Sequence, residues 1–574
     1  MKIFLTGTLI SIVINFFYII GILITNGYSD FQYSTFNLGK IHPLDELYIY
    51  GARISEISET NLLSPDAYVQ EYEGILLYFI PVLGELFSSF FLFISGGDII
   101  LANCLLDFLM PILVFYIIYK IMLLLTENKN YSLVFAFLIT LYFEIISVFF
   151  SNLNFASIQN LYPMSQHLLT RSVFSINLLI GLVSVFFSIS YLKLKSRKLF
   201  FMSIFFLGLC CYANSFIFIA LVIFNISLFI LAHKTKFLNE LITQKYSIIF
   251  FVIMLLPYIY NQLSLGSIDH SNEFLPRAGI TNSFAISLLS LAYLFFLIVL
   301  IFFKNYVLRR DFILLSSILI ALIIAKNLQL ILGFNVQIFH YDRDVGRWVL
   351  FIILGSISYS LFANYLKDIG KRTTTLLILI TILPAVFNQT KFANQSINQY
   401  LVHNEYFELF EYLNNNTVKS SVIAADNELT KWIPAMTHNN TLMGISPVSF
   451  ASNKELLERY YFSQRVVGYD DNQIKTKLTK ETYIDLYHFK DLYSMASFPK
   501  DIINPDKVLS EFKESFHELI SSEKGSDYFI EKYNFDYILV KSPATQPTNK
   551  FLDKSLVKVF GNSRFSLYKL DQSI

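Results

Sequence analysis

Long apolar runs dominate the chain before Asn388, and they leave few folds open to it. A stretch of about 20 apolar residues covers the hydrocarbon core of a bilayer. Inside that core only helices or closed barrels satisfy their own backbone. Runs of this kind lie at roughly 3–26, 98–124, 131–151, 172–192, 198–212, 214–233, 246–266, 283–303, 311–333, 347–367 and 373–389. A further apolar stretch, 75–95, is interrupted by Pro81, Gly84 and Glu85. Met1-Lys2 followed by apolar Ile3 to Thr25 has the look of a signal peptide, but the stretch is too long and lacks a small-residue cleavage pattern. It reads as an uncleaved first span.

Lysine and arginine in short loops set the orientation of such a chain. They cluster at Lys120 with Lys129, at Lys193–Lys198, at Lys234 with Lys236 and Lys245, at Lys304–Arg310 and at Lys367–Arg372. If 75–95 crossed the membrane, these clusters could not share a side with Lys2. If it is re-entrant or interfacial, all of them fall together on the inner side. The expected protein is therefore an α-helical polytopic membrane protein of about eleven spans. Its N-terminus is inside, and a C-terminal soluble α/β domain, residues 391–574, lies outside. Residues 1–390 form the membrane part, with 27–97 as a long first outer loop. That loop is acidic, carrying Asp30, Asp45, Glu46, Glu56, Glu59, Asp66, Glu71 and Glu73 against Lys40 and Arg53.

Composition agrees with this division. Only 15% of residues are charged, where soluble domains carry about 25%. A net charge of +1 gives no reason to expect nucleic acid as a partner. Cys104, Cys210 and Cys211 all fall in apolar runs, which leaves the polar third without disulfides or thiolate metal sites. In that third, Phe407, Leu409, Phe410 and Leu413 repeat at helical spacing over 403–415. Further helices are expected at 454–464 and 508–520, and strands at 421–425, 535–540 and 565–570. No phosphate loop, metal spacing or nucleophile motif appears there.

Two outer stretches carry candidate chemistry. The first runs from His42 to Arg53 and holds the adjacent carboxylates Asp45 and Glu46, then Tyr48 and Tyr50. Adjacent acids at a membrane surface suit a general base or the ligands of a divalent cation. The plain alternative is an amphipathic surface helix with solvated acids. The second stretch is His340-Tyr341-Asp342-Arg343-Asp344-Val345-Gly346-Arg347-Trp348. Arginine presents a planar fork suited to phosphate, and the plain alternative is interfacial anchoring. Arg171, near His167, adds an outer cation whose ordinary reading is snorkelling. Lys326, Asp107 and Glu144 lie within spans and suit buried structural pairing.

This arrangement resembles the GT-C superfamily of membrane glycosyltransferases, whose relatives include protein mannosyltransferases, aminoarabinose transferases and oligosaccharyltransferase catalytic subunits. The likeness covers about residues 1–390: a first span, an outer loop opening with an acid pair, a juxtamembrane apolar segment and about ten more spans. The resemblance implies that Asp45, with Glu46 as alternate, is the base on the acceptor or a metal ligand. It implies that Arg347 beside Trp348 holds the donor's lipid phosphate, aided by Arg171 or Arg343. His340, Tyr48 and Arg53 complete the expected substrate contacts. The partners it implies are a polyprenyl-phosphate sugar donor, membrane lipids, and a glycan, lipid or protein acceptor. Magnesium or manganese is compatible with the acid pair, and nothing in the sequence requires a metal. The chain lacks the WWDYG-type motif of the oligosaccharyltransferases. The compositional bias is compatible with a bacterial plasma membrane.

Three rivals stand beside this reading. A lipid-linked glycan polymerase or ligase usually carries its large loop late, whereas here it comes first. A transporter or flippase of lipid-linked glycans would place charged residues near mid-membrane, as Lys326, Asp107 and Glu144 are, and would often show an internal duplication; none is visible. The last is a scaffold whose soluble domain recruits envelope proteins.

Overall fold

The computed structural model describes residues 2–16, 31–33, 46–59, 66–72, 81–142, 172–277, 288–332, 340–366, 370–396, 401–445, 449–487, 505–521, 532–541 and 556–570, together with residues 19, 77–78, 169, 280–281, 335–336 and 528–529. Apolar helices run Lys2–Ile14, Ile99–Thr126, Lys129–Thr140, Ser172–Leu194, Arg197–Ala213, Ser215–His233, Lys245–Gly266, Leu288–Phe302, Arg309–Lys326, Arg347–Leu361 and Lys371–Ser396. Among the described residues, six helices are long and apolar enough to cross a membrane. The chain is a membrane protein. Polar residues mark where the apolar runs break. Asp98 accepts from the Ile100 and Leu101 amides, Asn128 from Tyr131, and Asn214 from Phe216 and Ile217. Each thereby satisfies donors that a helix start leaves open.

The bundle has two chemically different ends. At one, Lys193 pairs with Glu127, Asn128 donates to the Tyr359 hydroxyl at 3.4 Å, and Ser360 donates to buried Asp311 at 3.0 Å. Arg310, which pairs with Asp311 at 3.0 Å, lies at the same end. At the other, Asn214 donates to Asp344 at 3.2 Å, and Asn261 donates to the Tyr78 carbonyl at 2.6 Å. This second end carries the C-terminal third of the chain.

The interrupted stretch 75–95 contains the helix Leu83–Ile94, 12 residues long. At 1.5 Å per residue it spans about 18 Å, short of the roughly 30 Å hydrocarbon core. It begins and ends at the same end of the bundle. Tyr78, just before it, is bound to Asn261, while Gly96 to Ile100, just after it, face Phe407 and Met436 of the C-terminal part. Gly84, Glu85, Ser88 and Leu92 are buried, whereas Phe87, Phe90, Phe93 and Ile94 are exposed. This one-sided apolar face suits a helix lying in the membrane surface.

The C-terminal residues build a five-stranded mixed sheet in the order Asn440–Thr441, Val422–Ala424, Tyr537–Lys541, Phe565–Leu570, Leu556–Gly561. The first three strands run parallel, and the last two are added antiparallel. Helices Asn404–Asn416, Asn453–Val466 and Pro505–Ser521 accompany it. Described segments of residues 31–72 are built into this unit. Phe31–Tyr33 pairs with Leu401–His403, and the Thr441 amide donates to the Tyr68 carbonyl at 2.9 Å. Buried Asp66 accepts from the Tyr68, Val69 and Phe450 amides. Arg277, on the helix Ser271–Arg277, is also fully buried, and donates to the Ser449 and Ala451 carbonyls and the Asn453 side chain. Ile49, Ala52, Ile54 and Val69 share one apolar core with Leu409, Phe410, Ile423 and Ile538.

Candidate functional site

The stretch from His340 to Trp348 sits at the domain-bearing end of the bundle. Asp342–Gly346 forms a wide π-type turn that leads into Arg347–Leu361. Gly346 permits this turn: a Cβ there would lie 2.5 Å from Leu322 Cδ2 and 2.8 Å from the Tyr341 carbonyl. The turn presents Arg343 and Asp344 to their neighbours. Asp344, with 1% of its side chain exposed, accepts from Arg343 Nε at 2.8 Å and meets His340 Nδ1 at 3.2 Å. Asn214 Nδ2 adds a third contact at 3.2 Å. Arg343 Nη2 contacts His340 Nδ1, and the guanidinium carbon lies 5.9 Å from the Phe174 ring centre. The His340 ring stacks on Phe216 at 4.5 Å.

A buried carboxylate is costly unless paired and hydrogen-bonded, and Asp344 is both. The result is a cation held in a fixed orientation. Arg343 keeps 28% of its side chain exposed, and its Nη1 has no partner among the described residues. A guanidinium so placed can receive a phosphate oxygen. Arg347, half-buried, follows one turn later. Trp348 is fully buried and packs edge-on to Tyr142 at 5.5 Å, so it anchors the helix in the core.

The acidic stretch lies only partly within the described residues. Asp45 and Arg171 fall outside them. Glu46 and Tyr48 belong to the wide helical turn Glu46–Gly51, with side chains outside the description. That turn runs directly into Ala52–Glu59. Arg53, expected to contact substrate, is instead buried, with Nε 3.3 Å from buried Glu85 Oε1. The pair fixes Ala52–Glu59 to Leu83–Ile94. Gly84 of the latter packs on Val173: an added Cβ would lie 2.7 Å from Val173 Cγ1. The residue after Val173 is Phe174, beneath Arg343. The helix following the acid pair and the turn carrying Arg343 are thus joined across one end of Ser172–Leu194.

Sequence reasoning passed over three members of this assembly. Asp344 reads from sequence only as part of a stretch, Asn214 only as the first residue of the apolar run 214–233, and Glu85 as an interruption. Asn214 carried a usable signal, because an asparagine before an apolar run is a favoured helix cap. Lys326 and Asp107 are both buried, and Asp107 accepts from Asn103 at 3.3 Å; Glu144 lies outside the described residues. Among the described residues, no three His, Cys, Asp or Glu side chains gather to hold a metal ion.

No protein-family model matches the chain, and no curated protein matches it in sequence. Among solved structures it is similar to the Archaeoglobus fulgidus oligosaccharyltransferase in the apo form, at 13% identity and a TM-score of 0.42, covering 94% of this chain and 69% of that one. It is also similar to the archaeal oligosaccharyltransferase AglB from Archaeoglobus fulgidus in complex with an inhibitory peptide and a dolichol-phosphate. There the identity is 14%, the TM-score 0.41 and the coverage 94% and 69%. A likeness at this level assigns this chain neither an activity nor a substrate.

Proposed function

We propose that this protein is an inverting GT-C-type glycosyltransferase that takes a sugar from a polyprenyl-phosphate donor at the outer face of the plasma membrane. Eleven helices cross the bilayer in this reading, with Leu83–Ile94 lying in its surface. The N-terminus is cytoplasmic, and residues 391–574 form an extracytoplasmic domain. The observation that carries the reading is the anchored cation Arg343, linked through Ser172–Leu194 to the segment that follows the Asp45–Glu46 pair.

The reaction follows from the residue chemistry. The Asp45 carboxylate, with Glu46 as alternate, takes the proton from an acceptor hydroxyl. The hydroxyl oxygen attacks the anomeric carbon from the face opposite the lipid phosphate. The bond from that carbon to the phosphate oxygen breaks, and the phosphate leaves with the electron pair. Arg343 and Arg347, with Arg171, bind the departing dianion more strongly than the monoanionic donor, which is how fixed charges accelerate a step. His340 and Tyr48 are the further substrate contacts in this reading.

The deciding experiment incubates the purified protein with polyprenyl-phosphate sugars and membrane-derived acceptors, in wild type and Asp45→Asn. Transfer by the wild type, and its loss in a variant that unfolds at the same temperature, is the expected result. Full transfer by Asp45→Asn removes Asp45 as the base. Movement of intact donor across vesicles without transfer moves the flippase reading ahead.

A further inference from the structure

A cavity of about 560 Å³ opens where Ala52–Glu59 and the turn Ser95–Asp98 meet the C-terminal part. Its volume falls within the range of small-molecule sites, about 300–1,000 Å³. Leu92, Ile99, Ile100, Phe407, Ala435 and Met436 give it an apolar floor. Ser55, Ser58, Asp98, Asn414, Thr437 and His438 supply polar groups along its sides. We propose that this cavity binds an uncharged oligosaccharide. The proposal goes beyond the transfer reaction, since neither Arg343 nor Arg347 lines the cavity.

The lining selects this ligand class. Among the described residues, no lysine or arginine lines the cavity, so nothing there neutralises a phosphate or carboxylate. A carboxylate does line it, and favours a ligand that brings hydroxyl donors. Asp98 uses Oδ1 to cap Ile99–Thr126, and Oδ2 has no partner among the described residues. His438 is held by Nε2 on Thr417, 3.2 Å from its carbonyl, while Nδ1 has no partner among the described residues. Ser55 Oγ is likewise without one. A hydroxyl, a carboxylate oxygen and an imidazole nitrogen beside an apolar floor match a sugar ring, which has hydroxyls on its rim and C–H groups on its face. Phe407 offers the flat surface for such a face.

The backbone keeps the space open. Gly96 and Gly97 adopt φ of +70° and +90°, a region that favours glycine. A Cβ at either would meet nothing within 4 Å, so the wall carries no side chain where a ligand would pass. Asn414 braces the opposite wall, donating to the Met436 carbonyl and accepting from the His438 amide, both at 3.1 Å. Phe93, 81% exposed, stands beside the same turn. An exposed apolar ring there suits a membrane surface, which in this proposal brings the cavity within reach of a glycan carried on a lipid.

The test uses the full chain in lipid nanodiscs, free of sugar-headed detergent. Saturation-transfer NMR is recorded against maltose, cellobiose, lactose and diacetylchitobiose, with inorganic phosphate as the charged probe. At least one disaccharide is expected to receive saturation. Ser58→Trp, a substitution at an exposed rim position that fills the cavity, should abolish the signal. Asp98→Asn keeps the helix cap and removes the charged acceptor, and should raise the Kd about tenfold or more. Absence of signal from all four sugars overturns the proposal. So does a signal unchanged in both variants, or one displaced by inorganic phosphate.

Discussion

Asp344 holds Arg343, His340 and Asn214 at once, and so decides where the exposed edge of the guanidinium sits. Removing the charge that stabilises a leaving group costs about 10²–10³ in turnover. Arg343→Gln should therefore lower kcat/KM for the lipid-phosphate donor by that factor. Asp344→Asn leaves the arginine but loosens it, and should cost about tenfold, mostly in kcat. A donor-concentration series on both variants separates these effects. Equal rates in Asp344→Asn and wild type would show that the anchor does not serve the reaction. Asp66 makes a different prediction, about pH. Burial raises its pKa to about 6 from 3.8, against the lowering effect of Ser449 and three backbone amides. Between those values the folded state binds more protons than the unfolded one, so stability falls as pH rises through the window. Thermal unfolding from about pH 4 to about pH 7 should show wild type losing ground to Asp66→Asn, then running parallel above pH 7. Parallel curves throughout would contradict the raised pKa.

Among the elements, Leu83–Ile94 does the most to bring the two candidate stretches together. It carries Glu85 to Arg53 and lays Gly84 on Val173, next to Phe174. Gly84→Val places methyl groups where an added Cβ already lies 2.7 Å from Val173 and 2.9 Å from Asn177. Overpacking of this kind costs about 1–3 kcal/mol. The expected outcome is a lower unfolding temperature in detergent, with a larger loss of transfer than stability alone explains. Gly84→Ala should fall between the two, and a valine variant as stable and active as wild type would sink the argument. The same helix shows what the sequence could disclose. Pro81 was a legible breaker just before it, whereas Gly84 and Glu85, expected as interruptions, lie inside the continuous helix. The helix Asn404–Asn416, expected at 403–415, and the strand Phe565–Leu570 were legible because periodicity and breakers are local signals. The strand Leu556–Gly561 was missed because all six of its residues are partly or fully exposed, which leaves it without a buried apolar alternation. The partnership of Asp344 with Asn214 spans 130 positions, and no local pattern encodes a contact of that range.

At the scale of the whole molecule, the described parts of residues 31–72 and of the C-terminal third form one packed unit at one end of the helical bundle. The sequence, read in order, suggested a loop and a separate domain. Pairing of Phe31–Tyr33 with Leu401–His403, and the seating of Asp66 against Phe450, join them, while Arg277 ties a later segment to residues 449–453. This geometry makes the topology testable by cysteine labelling in sealed membrane vesicles, with Cys104, Cys210 and Cys211 replaced by alanine. Gln70, before Leu83–Ile94, and Ser95, after it, should both label from the side that labels Val418, 75% exposed in the C-terminal part. Lys198, among the basic loops, should label only from the other side. The pair Gln70→Cys and Ser95→Cys is the informative one, because a helix that crossed the bilayer would separate them. Labelling of Ser95→Cys together with Lys198→Cys would make Leu83–Ile94 a span, reverse every later helix, and remove Arg343 from the face that carries the acid pair. Labelling of Gln70→Cys, Ser95→Cys and Val418→Cys from one side puts Asp45, Arg343 and the proposed saccharide cavity on a single membrane face, the arrangement that transfer from a lipid-borne donor to a glycan acceptor requires.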